Sequence, residues 1–146
     1  MFVTQILASK ATQGVLTIDP GASVADAVAE LVSRRIGALV VSGDGRRAEG
    51  ILSERDIVRE LGRVGPSTVL ERKVGTLMTK DLETCAPNDR SDAILARMTE
   101  GRFRHMPVEE DGLLIGLISL GDVVKSRLSE VSMEKASLEA MITGNA

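Results

Sequence analysis

The 146 residues contain no tryptophan and no tyrosine, and only two phenylalanines, Phe2 and Phe103. A base therefore cannot sit in an aromatic sandwich of the kind that single-stranded nucleic-acid binders use, so any base bound here rests on aliphatic groups. One cysteine, Cys85, excludes an internal disulfide, and one histidine, His105, leaves no cluster with the spacing of a zinc site. A surplus of cations is also missing: 18 Lys and Arg stand against 21 Asp and Glu, for a net charge of -3. Counterion release on a nucleic acid or an anionic membrane needs the opposite balance. The basic pairs Arg34-Arg35 and Arg46-Arg47 read as solvated faces or turn residues. Apolar runs fall far short of membrane-spanning length, and the opening MFVTQILASKATQG lacks the basic start and apolar stretch of a secretory signal. The expectation is a cytoplasmic protein that engages neither nucleic acid nor membrane.

What the chain does have is repetition. With 43% hydrophobic residues over this length, it can build one compact domain with a real core, and any second unit must be a small repeat. Gly50-Ile-Leu-Ser53-Glu-Arg-Asp56 recurs as Gly116-Leu-Ile-Ser119-Leu-Gly-Asp122, an offset of 66 residues. Thr17-Ile-Asp-Pro20 matches Thr84-Cys-Ala-Pro87, and Arg35 to Val41 matches Arg102 to Val108, both at an offset of 67. Further upstream Val3 to Leu7 resembles Val74 to Met78 at an offset of 71, so the second copy is four residues shorter in its lead-in.

Each repeat reads as strand, helix, strand, strand, helix, an α+β (mixed α/β) pattern. Ser23 precedes an apolar stripe of Val24, Ala27, Val28, Leu31 and Val32 at helical spacing, behind a Ser-x-x-Asp cap with Asp26; this helix is expected to end near Gly37. Ala38 to Val41 and Glu49 to Leu52 flank the turn Ser-Gly-Asp-Gly as a hairpin, and Asp56 opens a second helix through Leu61. The second repeat copies this with a helix from Ser91 to Glu100, strands Met106 to Val108 and Leu114 to Ile118, and a helix from Gly121 onward. Gly62 to Ser67 is the expected linker. The boundaries are residues 1–66 for the first repeat, 67–130 for the second and 131–146 for a helical tail. After the second motif the helix is expected to continue, with interruptions, to Ile142, since Leu128, Val131, Leu138, Met141 and Ile142 fall roughly on one face, which either packs back on its own domain or contacts a second subunit.

Gly-x-x-Ser-x-x-Asp between a strand and a helix places a hydroxyl and a carboxylate around a helix N-terminus whose backbone donors are free for an anion. The carboxylate can accept two hydroxyls at once, as ribose 2' and 3' oxygens offer, while the serine and backbone N–H groups suit a phosphate. Asp56 and Asp122 can equally be plain helix caps, the commoner use of Asp after a strand. Repetition at matching positions weighs against that reading alone.

These residues, together with the Arg104-His-Met-Pro-Val108 run, resemble the CBS-domain family, and the resemblance covers nearly the whole chain. It implies two CBS repeats of β-α-β-β-α type packed with pseudo-twofold symmetry as a Bateman module, similar to the regulatory CBS pair of inosine monophosphate dehydrogenase but standing alone. It also implies a cleft between repeats that binds adenosine-containing ligands: AMP, ADP, ATP, NAD or S-adenosylmethionine. No obligatory cofactor is implied; AMP, ATP or NAD are the leading ligands. Carried over by residue, Asp56 and Asp122 hold ribose hydroxyls, and Ser53 and Ser119 contact phosphate or ribose. Thr17 and Thr84 bond near ribose or base. The backbone of Ala38 to Val41 and of His105 through Pro107 to Val108 lines the adenine slot, with Ile51 and Leu117 as apolar walls. Arg55 and Arg104 are the leading phosphate cations, since guanidinium forks match phosphate oxygens. The halves differ, because Gly121 stands where the first motif has Arg55, which implies one weaker or empty site. Lys10 and Lys125 could assist in the phosphate channel, but an exposed lysine is usually only solvated, so both stand outside the leading candidates.

The expected function is thus a non-catalytic, energy-sensing regulatory module that acts through a homodimer or a partner surface on an enzyme or transporter in trans. The alternative is a dimerisation scaffold with a vestigial cleft. An enzyme would need Cys85 as nucleophile and His105 as base, yet no third orienting group is evident and a lone cysteine in a strand-like segment is usually a small buried hydrophobe.

Overall fold

The structure is a computed structural model; it describes residues 1–10 and 14–143, so the last three residues of the expected tail lie outside it. Seven helices and five strands occur among the described residues, in the order α1 (Val3–Ser9), β1 (Thr17–Ile18), α2 (Val24–Arg34), β2 (Ala38–Val41), β3 (Gly50–Ser53), α3 (Glu54–Val64), α4 (Pro66–Glu71), α5 (Val74–Leu77), α6 (Ser91–Gly101), β4 (His105–Glu110), β5 (Leu113–Ser119) and α7 (Leu120–Thr143). The mixed class agrees with the reading of the sequence, and the first repeat shows the expected strand-helix-hairpin-helix order; in the second the stretch around Thr84 forms no named strand, and α6 leads into the two-stranded hairpin β4–β5 and then α7.

Two compact units divide the chain. The first gathers Met1–Gln13, Cys85–Met106 and Ile118–Ala146; the second gathers Gly14–Thr84 and Pro107–Leu117. In the second unit β2 is the central strand, parallel to β1 through Thr17 opposite Val40 and antiparallel to β3 through Ala38 opposite Ser53. All four residues of β2 are buried, as expected of an unbroken apolar run at the centre of a sheet. Helix α2 starts where the Ser23 hydroxyl accepts from the Asp26 N–H at 3.0 Å, and it lays Val24, Ala27 and Leu31 against Leu39, Val41 and Leu52. It ends at Arg34 rather than near Gly37, because Arg35 takes the left-handed conformation (φ 55°) that closes the helix; Arg102 does the same after α6.

The expected linker differs in kind. Gly62 lies inside α3, which runs on to Val64; Gly65 at φ 88° makes the break, and Pro66 opens the short helix α4. A single glycine costs a helix about 1 kcal/mol and does not end it, whereas proline at the first helical position loses no bond. Glu60 of α3 fastens this segment, accepting from Arg72 at 2.8 Å and from Arg63.

The lead-ins exchange repeats. Helix α1, which opens the first repeat, buries Val3 and Ile6 and is bound to the start of the second: Val3 N–H donates to Asp89 O and Thr4 N–H to Pro87 O, each at 2.9 Å. Helix α5, which opens the second repeat, is bound to the start of the first through Val74 N–H to Ala22 O (2.8 Å) and Gly75 N–H to Pro20 O (2.9 Å). Each exchange lies within one unit.

Helix α7 is one uninterrupted helix. Its first turns are anchored in the first unit by buried Val123 and Ser126, and Glu130 accepts from the Ser91 hydroxyl at 2.8 Å. Beyond that point its apolar residues Val131, Met133, Leu138, Met141 and Ile142 are exposed, as is Leu128. Packing back on its own domain is therefore not what these side chains do.

Candidate functional site

Two strand-to-helix turns carry the repeated motif, one in each unit. At the first, Ser53 caps α3: its hydroxyl accepts from the Asp56 N–H at 3.3 Å, while Asp56 Oδ2 accepts from the Ser53 N–H at 2.9 Å and from the Ser53 hydroxyl at 3.1 Å. This reciprocal box satisfies donors that a helix start leaves open and fixes the carboxylate. Asp56 Oδ1 accepts from the Thr79 hydroxyl at 3.3 Å, and Arg59 Nη1 stands 3.7 Å away. The Asp56 side chain is 10% exposed.

The second turn repeats the box. Ser119 Oγ accepts from the Asp122 N–H at 3.1 Å, and Asp122 Oδ2 accepts from the Ser119 N–H at 2.9 Å. Its further partner is not a hydroxyl: Lys10 Nζ donates to Asp122 Oδ2 at 2.9 Å. Burial acts to raise the Asp122 pKa and is outweighed by the Ser119 N–H and the Lys10 ammonium, which hold it below the ordinary carboxylate value. About a quarter of the Asp122 side chain, 26%, is exposed. Lys10 was read as a solvated lysine; no local spacing announces a partner 112 residues away.

The other candidate residues fall into two groups. In the second unit Thr17 lies on β1 opposite Val40, Ala38 opposite Ser53, and Ile51 opposite Val40. Val41, also on β2, pairs with Ile18 and Gly50. Ala38, Val41, Ile51 and Pro107 are buried, so their side chains belong to the packing; Leu117 and Thr84 are half-buried. Arg55 is exposed on the first turn of α3. In the first unit Arg104 is exposed and its carbonyl accepts from the Leu120 N–H at 2.7 Å, which ties it to the second motif, with His105 next to it at the start of β4. Cys85 is 5% exposed, and burial, aided by nearby Asp89, pushes its thiol up to about 12. Such a thiol stays protonated at neutral pH and is no nucleophile.

The motif glycine has a packing reason that the sequence did not disclose. After α5 the chain runs beside β3, with Ile51 N–H donating to Thr79 O at 3.0 Å and Thr79 N–H to Ile51 O at 2.8 Å. A Cβ on Gly50 would stand 2.6 Å from Met78 Sδ and 2.9 Å from Thr79 O. Glycine at this place lets the exchanged lead-in deliver Thr79 to Asp56.

Among the described residues no helix is long and apolar enough to cross a membrane, and no group of three or more His, Cys, Asp or Glu could hold a metal ion.

Comparison with known proteins places these turns in context. The CBS domain model matches residues 3–63 and 74–129. The chain is 38% identical over 129 residues to the mitochondrial CBS domain-containing protein CBSX3 of Arabidopsis thaliana, covering 84% of this chain but 61% of that protein. Among solved structures, the CBS-domain containing protein ATU1752 of Agrobacterium tumefaciens is 41% identical with a TM-score of 0.82, over 87% of this chain and 99% of that one. A more distant likeness in fold, 21% identical with a TM-score of 0.71, is the CBS domain protein PAE2072 of Pyrobaculum aerophilum complexed with AMP, over 84% of this chain and 89% of that one.

Proposed function

The chain belongs to the CBS-domain family, and from that membership we propose that it is a non-catalytic regulatory module whose two motif turns bind an adenosine-containing ligand. The observation that carries this reading is the pair of reciprocal Ser–Asp boxes, which hold a carboxylate at the start of a helix in both repeats. A carboxylate has about four acceptor positions; the box uses part of that capacity, and the rest suits the vicinal hydroxyls of a ribose. The AMP complex of the Pyrobaculum protein supports a nucleotide as the ligand class. Arg55 and Arg104, both exposed beside a motif turn, are the phosphate contacts, and Ile51 and Leu117 the apolar walls. The protonated Cys85 thiol supports a module without chemistry of its own.

Titration calorimetry with AMP, ATP, NAD and S-adenosylmethionine tests the reading. Saturable binding of one of them is expected, with Asp56→Ala weakening it by about tenfold or more, because a charged acceptor of two hydroxyls is lost. Absence of heat with every ligand, together with no adenine released from the purified protein, would sink it.

A homodimer built on α7 is the route by which the module acts. Val124, Leu128, Val131, Leu138 and Ile142 are exposed and recur at intervals of four, three, seven and four, the spacing of a helix-pairing seam with Lys135 at its one polar position. Replacing Leu128 and Leu138 with Glu is expected to halve the mass measured by light scattering. A wild-type mass of one chain would end the proposal.

A further inference from the structure

We propose that α7 pairs antiparallel with α7 of a second copy, in the register that sets Val124 of each chain against the partner's Ile142, so that the end of one tail abuts the second motif turn of the other. The inference rests on the α7 dimer proposed above and adds to it the direction of the partner helix and the site that it reaches.

The seam on α7 repeats as a heptad. Leu128, Lys135 and Ile142 take one of its two core positions, and Val124, Val131 and Leu138 take the other. The helix is anchored only by its first turns, through Val123 and Ser126, and no described residue after Ser126 is buried. Antiparallel helices set the two kinds of core position face to face. The layers are then Val124 with the partner's Ile142, Leu128 with the partner's Leu138, and Val131 with the partner's Lys135. Leu138 and Ile142 of each uncovered tail thus lie on the anchored first turns of the other chain, where Val124 and Leu128 are themselves exposed. Lys135 lays its methylene stem on a valine and keeps its ammonium in water. Parallel helices would instead set like positions face to face, with Lys135 against the partner's Lys135 in the core of the seam.

The charges beside the seam favour the same direction. Lys125, Ser132 and Glu139 flank it on one side, and Arg127, Glu134 and Met141 on the other. In a parallel pair opposite sides meet: Glu134 faces the partner's Glu139 along both edges, and Arg127 faces only Ser132. In an antiparallel pair like sides meet: Lys125 faces the partner's Glu139 along one edge, twice by symmetry, and Glu134 faces the partner's Glu134 once at the dyad. Lys125 is exposed, and Glu139 has its own helix's Lys135 only at 4.0 Å, with both side chains well exposed. So solvated a contact leaves Glu139 available to a partner.

The register has a consequence for the motif. Val124 stands two residues beyond Asp122, about 3 Å along the helix, so the partner's Ile142 comes to the edge of the second turn. The first turn opens α3, which ends at Val64 and carries no tail. Only one of the two motif turns is therefore flanked by the second copy.

Glu139→Lys gives the two directions opposite signs. In sedimentation equilibrium at low salt this variant is expected to raise the dimer dissociation constant about fivefold, because the new ammonium faces the partner's Lys125. Adding Lys125→Glu should restore the wild-type value. In a parallel pair the same substitution would meet Glu134 and tighten the dimer; a tighter or unchanged dimer overturns the proposal. Oxidation of Val124→Cys, of Ile142→Cys and of an equimolar mixture of the two reads the register, with buried Cys85 left in place and the wild-type chain as control. Disulfide-linked dimers are expected from the mixture alone, since a disulfide needs Cα atoms within about 7 Å and the two copies of residue 124 lie about 27 Å apart along the pair. Links in Val124→Cys alone, or in none of the three, overturn it too. A wild-type mass of one chain refutes the α7 dimer beneath the proposal; a dimer that fails these tests refutes its direction alone.

Discussion

Asp56 and Asp122 occupy the same place in the same Ser–Asp box, yet each has a different outside partner. Asp56 meets a hydroxyl, from Thr79, and Asp122 meets an ammonium, from Lys10. Neither partner comes from the motif's own repeat; each arrives on the lead-in of the other. The comparison teaches that the sequence repeat fixes the local geometry of the two turns, while the exchanged lead-ins set their chemistry. Two heptapeptides that share Gly, Ser and Asp at the same spacing thus end up with different electrostatics because Thr79 reaches one carboxylate and Lys10 the other.

The largest test of this comparison is at Gly50, the motif glycine of the first turn. Gly50→Ala forces a Cβ into Met78 and the Thr79 carbonyl, and since one of these is backbone the lead-in must move. A loss of about 1–3 kcal/mol is expected in urea unfolding, the usual cost of overpacking. Met78→Ala on top of it should recover only part, because Thr79 O remains at 2.9 Å. Gly121→Ala, at the place in the second motif that Arg55 takes in the first, is a control for a turn glycine with room around it. A Cβ there meets nothing nearer than Ser119 Oγ at 3.7 Å, and alanine's better helix propensity should leave stability unchanged or raise it by about 0.5 kcal/mol. Equal losses at the two positions would show that the lead-in does not act on the first turn as described.

How far the residues alone could carry this is clear from particular cases. The strand Ala38–Val41, the Ser23 cap and both Ser-x-x-Asp boxes are local patterns, four residues or fewer between partners, and local patterns are what a sequence displays. The end of α3 misled because two glycines near a proline look alike in sequence, and only the one at positive φ breaks the helix. The likeness of Val3–Leu7 to Val74–Met78 was visible, but not that each lead-in serves the other repeat, since that is decided by burial of Val3 and Val74 in surroundings far away in sequence. Lys10 was misjudged for the same reason: its partner lies 112 residues on. Even the tail divides this way: its helical periodicity is local and legible, while the sequence pointed to interruptions that α7 does not have, and its exposed apolar face is decided by what the unit leaves uncovered.

The smaller effect is the outside partners' own contribution to stability, and it separates an ion pair from a neutral bond. A double-mutant cycle over Lys10→Met and Asp122→Asn should give a coupling of about 0.5–1 kcal/mol, while Thr79→Val with Asp56→Asn should give no more than about 0.5 kcal/mol. Raising the salt should weaken the first and leave the second, because screening acts between net charges. The pH dependence has a definite sign. The folded pKa of Asp122 lies below its ordinary value, so the stability this carboxylate contributes is fully present above the ordinary carboxylate range and is lost as pH falls through the depressed folded value. The Lys10–Asp122 coupling measured by urea unfolding should therefore be constant near neutrality and vanish in acid. A coupling that survives below the depressed value, or that ignores salt at neutral pH, would mean that Lys10 contributes through the packing of its methylene stem, and the contrast between the two turns would then be one of shape rather than charge.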